Sequence, residues 1–210
     1  MTMPQAVSTA LSRSRLYAAL SRGFLYPAAG LVQEMSAYGQ TLREALGLVP
    51  DAAHLADEVT FADETEGLEE QYQALFAGQT PPCPPYETEY TATSVWMQTQ
   101  QMADVAGFYR AFGVDAGVTG ERVDYVATEL EFMYMLCVKE AIAEHEGNSD
   151  GAAVCRSGQA AFLRDHLAAW LPRFTAKMNT LGAGGYYPAL ARLVERVASM
   201  ESRQFQREGA

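Results

Sequence analysis

Residues 123–142 offer no polar face. Val126, Leu130, Met133 and Cys137 fall on one side of a helix of 3.6-residue period, and Tyr125, Phe132 and Leu136 fall on the other. A helix that is apolar all round must be surrounded by other elements, so this run reads as the centre of a multi-helix packing. The rest of the chain supplies the neighbours. Leu16, Leu20 and Phe24 recur at four-residue spacing until Tyr26-Pro27 ends the run. Leu31, Met35, Tyr38, Leu42 and Leu46 form a second stripe closed by Pro50, and Leu68, Tyr72, Leu75 and Phe76 a third stopped by Gly78. Met102, Val105, Tyr109 and Phe112 form a fourth, stopped by Gly113. Beyond the central run, "EGNSDG" at 146–151 is a turn. Val154, Phe162, His166, Trp170 and Leu171 then form a helix that Pro172 is expected to break. "GAGG" at 182–185 is a further break before a last helix with Leu190, Val194, Val197 and Met200. No segment shows the alternation a strand needs. The expected fold class is all-α: a helical bundle over residues 1–210, either undivided or in two lobes with the glycine-rich hinge 113–121 as their boundary.

One segment cannot be regular helix. "GQTPPCPPYETEY" at 78–90 places Pro81, Pro82, Pro84 and Pro85 around Cys83. Each proline removes a backbone donor and pushes the residue before it towards extended geometry. A stiff extended loop should result, presenting Tyr86, Glu87 and Tyr90 in few directions.

The loop lies in the acidic part of the chain. Residues 44–109 contain no Lys or Arg and 12 of the 26 Asp and Glu; the remaining 14 acids are nearly balanced by 15 Lys and Arg. The net charge of −11 therefore belongs to one third of the sequence. Such a field repels nucleic acid and steers a basic partner. The N-terminus has no uninterrupted apolar run, with Arg13 and Arg15 inside its only candidate, and no stretch approaches the roughly 20 apolar residues of a membrane span. A soluble, cytoplasmic protein without stable membrane insertion is expected. Three irregularly spaced cysteines fit a reducing compartment better than a disulfide framework.

Chemistry is harder to find. No strand precedes "GAGG", and neither a dinucleotide fingerprint nor a phosphate-loop lysine is present. Glu129 and Glu131 sit on opposite sides of a helix and make a poor catalytic pair. Cys83, Cys137 and Cys155 with His145 and His166 match no zinc spacing. The expectation is no enzyme, no cofactor and no metal, with a cysteine-based metal or redox sensor as the alternative. What remains is a binding surface: an acidic loop flanked by aromatics, with Tyr72, Phe76, Tyr86 and Trp96 as large anchors for a peptide both basic and apolar.

"YQALFAG" at 72–78, "CPPYETEY" at 83–90, "MADVAGFYRAFG" at 102–113 and "ERVDYVATELEFM" at 121–133, in that order, resemble the TorD/DmsD/NarJ family. The resemblance spans roughly residues 10–200. It implies a cytoplasmic all-helical chaperone for a molybdenum-containing oxidoreductase. Such a chaperone binds the client's catalytic subunit and its twin-arginine signal peptide while cofactor is inserted, as a monomer or homodimer. By the same resemblance Leu75 and Phe76 match the family's "LF", and Asp124 matches the aspartate of its Asp-His pair. The family's E-x-P-D-H reads "ERVDY" here, with Val123 for the proline and Tyr125 for the histidine. The expected peptide-binding set is Tyr72, Leu75, Phe76, Tyr86, Glu87, Trp96, Asp124 and Tyr125. The longer run from Cys83 to Gly113 is most similar to chaperones of the dimethylsulfide, ethylbenzene, chlorate and selenate group of enzymes.

Overall fold

Helix α6 (Val126–His145) is the axis of the molecule, because its apolar circumference can be buried only from several sides at once. The computed structural model describes residues 4–49, 52–58, 67–114, 121–181 and 185–208. Before α6 come α1 (Gln5–Gly23), α2 (Ala29–Leu48), a 3₁₀ turn (Ala53–Glu58), α3 (Leu68–Phe76), the one-turn α4 (Thr88–Thr91) and α5 (Val95–Ala111). After it come α7 (Ser149–Phe162), a π-helical turn (Leu163–Leu167), α8 (Ala168–Thr180) and α9 (Tyr186–Glu208). Among the described residues no strand forms; Tyr86 and Tyr125 make one isolated antiparallel bridge.

Helix α6 lies between α1 and α7, while α8 packs on α9 and α1 also carries α2. Leu16, Tyr17 and Leu20 of α1 and Met133, Leu136 and Cys137 of α6 are fully buried. Removing each of these large apolar side chains from water contributes about 1.5–3 kcal/mol. At its far end α6 emerges, and Ile142 is exposed. One glycine is required by contact: a Cβ on Gly158 of α7 would lie 2.3 Å from the Phe112 ring. Phe112 can seat against α7 only because nothing is there.

Several local signals act as expected. Helix α3 ends just before Gly78 and α5 just before Gly113, both with positive φ. The turn expected at 146–151 is shorter, since Ser149 already opens α7, capped by Asn148 Oδ1, which accepts from the Gly151 amide at 2.9 Å. Three further expectations are corrected. Pro172 does not break its helix but lies inside α8, because Trp170, Leu171 and Phe174 are all fully buried and hold the backbone helical through one missing hydrogen bond. The loop 78–90 is not extended to its end, since Tyr90 already belongs to α4. Helix α5 starts at Val95, well before its apolar stripe, because Ser94 Oγ accepts from the Met97 amide. The proposed lobe boundary falls largely on residues 115–120, outside the described residues, as do residues 182–184 of "GAGG". No described helix is long and apolar enough to cross a membrane.

Candidate functional site

Four prolines leave the loop after α3 with few backbone donors, so its order must come from the partners of what remains. The Cys83 amide donates to Leu75 O at 3.0 Å, and the Tyr90 hydroxyl donates to Pro84 O at 2.9 Å. The loop then runs antiparallel to the segment entering α6. The Val126 amide donates to Pro85 O, and the Glu87 amide to Asp124 O, each at 2.9 Å.

Asp124 is the latch between the two segments. Its carboxylate is fully buried and accepts from the Thr88 amide (3.1 Å), Thr88 Oγ1 (2.7 Å) and Arg122 Nε and Nη2 (3.0 and 2.9 Å). Arg122 also bonds Glu89 at 3.1 Å, and its guanidinium lies 4.1 Å above the Tyr86 ring. Held by donors from both segments, this carboxylate joins the proline loop to the start of the central helix.

That joint builds one wall of a cleft. Ser21 Oγ donates to Ala127 O at 2.8 Å, a contact that needs small side chains where α1 meets α6. Beside it lies a cleft of about 560 Å³. Leu25 and Tyr26 from the end of α1, Tyr72 from α3, Tyr125, and Tyr134 from α6 supply its apolar and aromatic surface. Leu25 and Tyr26 are 41% and 43% exposed, unusual for large apolar groups beside a core. Two carboxylates, Glu121 and Glu131, line the cleft with one guanidinium, Arg22. Burial, then neighbouring Tyr72, raises Tyr125 far above the ordinary phenol range, and its hydroxyl donates to Phe24 O. Burial and then Glu121 push Tyr86 up to about 12, and its hydroxyl donates to Glu121 at 3.2 Å.

The eight residues expected from sequence therefore separate. Tyr72 and Tyr125 line the cleft, and Tyr86 stands behind Tyr125 with ring centroids 5.6 Å apart. Leu75 and Phe76 lie in the core; Phe76 packs edge-on to Tyr72 at 5.1 Å and so supports the cleft from within. Asp124 and Glu87 point inward, and Glu87 meets His166 Nδ1 at 3.1 Å instead of solvent. Trp96 is 74% exposed on the first turn of α5 and does not line the cleft. Sequence reasoning missed Leu25, Tyr26, Glu121, Glu131 and Tyr134. The available signal was Glu131 and Tyr134, one helical turn apart on α6, together with two large apolar residues placed just before Pro27.

The three cysteines do not meet at one point. Cys83 lies against Tyr90 and Phe174 O, whereas Cys137 bonds Gln159 Oε1 between α6 and α7, with Cys155 as its neighbour. All three are buried, and burial raises each thiol. That is the opposite of what a thiolate ligand or redox sensor needs. Among the described residues no three His, Cys, Asp or Glu side chains are grouped to hold a metal ion.

Residues 29–176 match the family model described as nitrate reductase delta subunit. The chain is 30% identical over 210 aligned residues to the perchlorate reductase assembly chaperone protein of Dechloromonas aromatica, covering 91% of this chain and 89% of that relative. It is 40% identical over 77 residues to the selenate reductase assembly chaperone protein of Thauera selenatis, covering 36% and 39% of the two chains. A crystal structure from Archaeoglobus fulgidus, described as a candidate redox enzyme maturation protein, superposes with a TM-score of 0.53 at 22% identity over 89% of this chain and 93% of the other. That superposition independently supports the all-helical fold.

Proposed function

The chain belongs to the nitrate reductase delta subunit family, the TorD/DmsD/NarJ group its motifs resemble, and from that premise we propose that it is an assembly chaperone for a molybdenum-containing oxidoreductase. It has no catalytic role in this reading. Its partners are the client's catalytic subunit and that subunit's twin-arginine signal peptide, met in the cytoplasm before cofactor insertion is complete. Support comes from relatives named as assembly chaperones of perchlorate and selenate reductases. The observation that carries the peptide part is the cleft between α1 and α6, where exposed Leu25 and Tyr26 stand beside Glu121 and Glu131. An arginine pair followed by an apolar segment requires those two surfaces side by side.

The energetics suit a reversible grip. Burying three or four apolar side chains contributes about 1.5–3 kcal/mol each. Immobilising the peptide costs several kcal/mol to ten or more. A net of about −8 kcal/mol is a micromolar complex, tight enough to hold a client and weak enough to release it.

Calorimetric titration with a client signal peptide tests this. Glu121→Gln with Glu131→Gln should weaken binding about five- to thirty-fold, the loss expected for charge pairs partly shielded from water. Leu25→Ser should weaken it about tenfold through lost apolar burial while leaving the melting temperature nearly unchanged. The charge effect should disappear for a peptide whose two arginines are glutamines, and binding should fall with added salt. Equal affinities for all these proteins and peptides would remove the cleft from the proposal.

A further inference from the structure

Behind the proline loop lies a buried group of ionisable side chains with no part in the cleft. Glu129 of α6 is fully buried, and Glu87 and His166 are each 3% exposed. His166 Nδ1 lies 3.2 and 3.1 Å from the two Glu87 oxygens, and Trp170 Nε1 donates to Glu129 Oε2 at 3.0 Å. Two atoms are left over: Glu129 Oε1 and His166 Nε2 are buried without a hydrogen-bond partner. Phe108 and Phe162 rings enclose the imidazole at 5.1 and 4.9 Å. His166 is carried by the π-helical turn, a costly local geometry that tends to occur where a side chain must be aimed.

Other charges face this group from each neighbouring element. Asp124, neutralised by Arg122, lies on the segment entering α6. Tyr109 on α5 is near Glu129 and Glu87, and Asp104 Oδ2, also on α5, is 3.8 Å from His166 Nε2 and mostly in solvent. Asp165, paired with Arg164, sits on the outer side of the turn. Among the described residues Glu87 is met by His166 and Glu129 by Trp170, while Arg122 is committed to Asp124 and Glu89. Glu129 interacts directly with Glu87, and two buried carboxylates in such contact cannot both ionise cheaply.

We infer that Glu87, Glu129 and His166 form a proton-operated lock, in which a proton on Glu129 holds the proline loop against α6 and its loss to solvent base frees the loop. With the proton in place, Glu129 is neutral beside Glu87, which faces His166. Once it is gone, Glu87 and Glu129 repel, and the repulsion works against the bonds that hold the loop to the start of α6, the Glu87 and Val126 amide bonds and the Asp124 latch. Because Tyr86 is in that loop and leans on Tyr125, the release reaches the cleft wall. Burial first, and then the neighbouring charge of Glu87, holds Glu129 well above its ordinary 4.5.

The sign follows from linkage. Above the ordinary carboxyl range the unfolded chain has lost this proton and the native chain keeps it, so the contribution is complete at low pH and declines as pH rises through Glu129's own titration. The test needs no client, so it can fail while the chaperone reading stands, and the reverse. In a Trp96→Phe background Trp170 is the remaining tryptophan, and its emission and indole N–H resonance report on Glu129 directly. Over about pH 5 to 10 the indole signal should show one transition. Between the ordinary carboxyl range and that transition, opening of the Glu87 and Val126 amides to hydrogen exchange, corrected for intrinsic chemistry, should rise about tenfold per pH unit, as one released proton requires, and level off beyond it. Glu129→Gln, which keeps an acceptor for Trp170, should abolish both, and Glu87→Gln should move the transition to lower pH. A flat wild-type titration overturns the lock whether or not a variant folds; so does a transition unchanged in either variant.

Discussion

Arg13→Ala should cost about 3–5 kcal/mol of folding stability, the loss typical when one partner of a buried ion pair is removed. Arg13 is 6% exposed where α1 meets α6 and α9. Its Nε and Nη2 bond both oxygens of Glu201 at 2.6 and 2.8 Å, and Nη1 reaches Glu140 at 3.3 Å. Tyr17 adds a hydroxyl to Glu201 at 2.7 Å, and the Phe205 ring covers the guanidinium at 5.1 Å. Glu140 keeps Arg156 and Gln159, but Glu201, 1% exposed, would lose both guanidinium donors and keep the Tyr17 hydroxyl. A buried carboxylate stripped of its cation is the origin of the loss. Against a total stability of about 5–15 kcal/mol the effect is large. The double variant Arg13→Met with Glu201→Leu, which removes both charges, should be more stable than Arg13→Ala alone. Urea titration of the three proteins decides; a single-variant cost below about 1 kcal/mol would mean the charges are solvated.

Asp124→Ala should be nearly as damaging, at about 3 kcal/mol or more, because it strands Arg122 and leaves the Thr88 amide and hydroxyl without their acceptor. Asp124→Asn retains one oxygen and should cost about half as much. The damage should also be directional. With the latch gone, the loop loses its register on the segment entering α6, Tyr86 leaves Tyr125, and client-peptide affinity of the folded fraction falls. Paired melts and titrations separate the two effects. A stable Asp124→Ala protein with unchanged affinity would show that the latch does not support the cleft.

What the sequence made legible was local. Apolar spacing identified the central helix and its neighbours, and Gly78 and Gly113 marked real ends, because those signals need only a few adjacent residues. Pro172 misled because buried neighbours from other helices override a local helix breaker. The same distinction governs the site. Glu87 reads as a surface acid because its partner His166 lies 79 residues later, and Arg13 reads as an exposed cation because Glu201 lies 188 residues later. The acidic and aromatic side chains expected of a binding surface recur at the cleft, but mostly at residues that local patterns did not single out. The cleft arises from the crossing of α1 and α6, and no property of either segment alone encodes it.

Site-specific photo-crosslinking tests the proposed cleft most directly. A photoreactive phenylalanine analogue replaces Tyr134, on the cleft, or Trp96, the exposed aromatic on α5 that does not line it. Each protein is irradiated with the client's full-length apo catalytic subunit, and the adduct is mapped by mass spectrometry. The cleft account predicts an efficient adduct from position 134 to the apolar segment just after the arginine pair, lost when excess signal peptide competes, and little adduct from position 96. Crosslinking from 96 to the signal peptide, with none from 134, would contradict it.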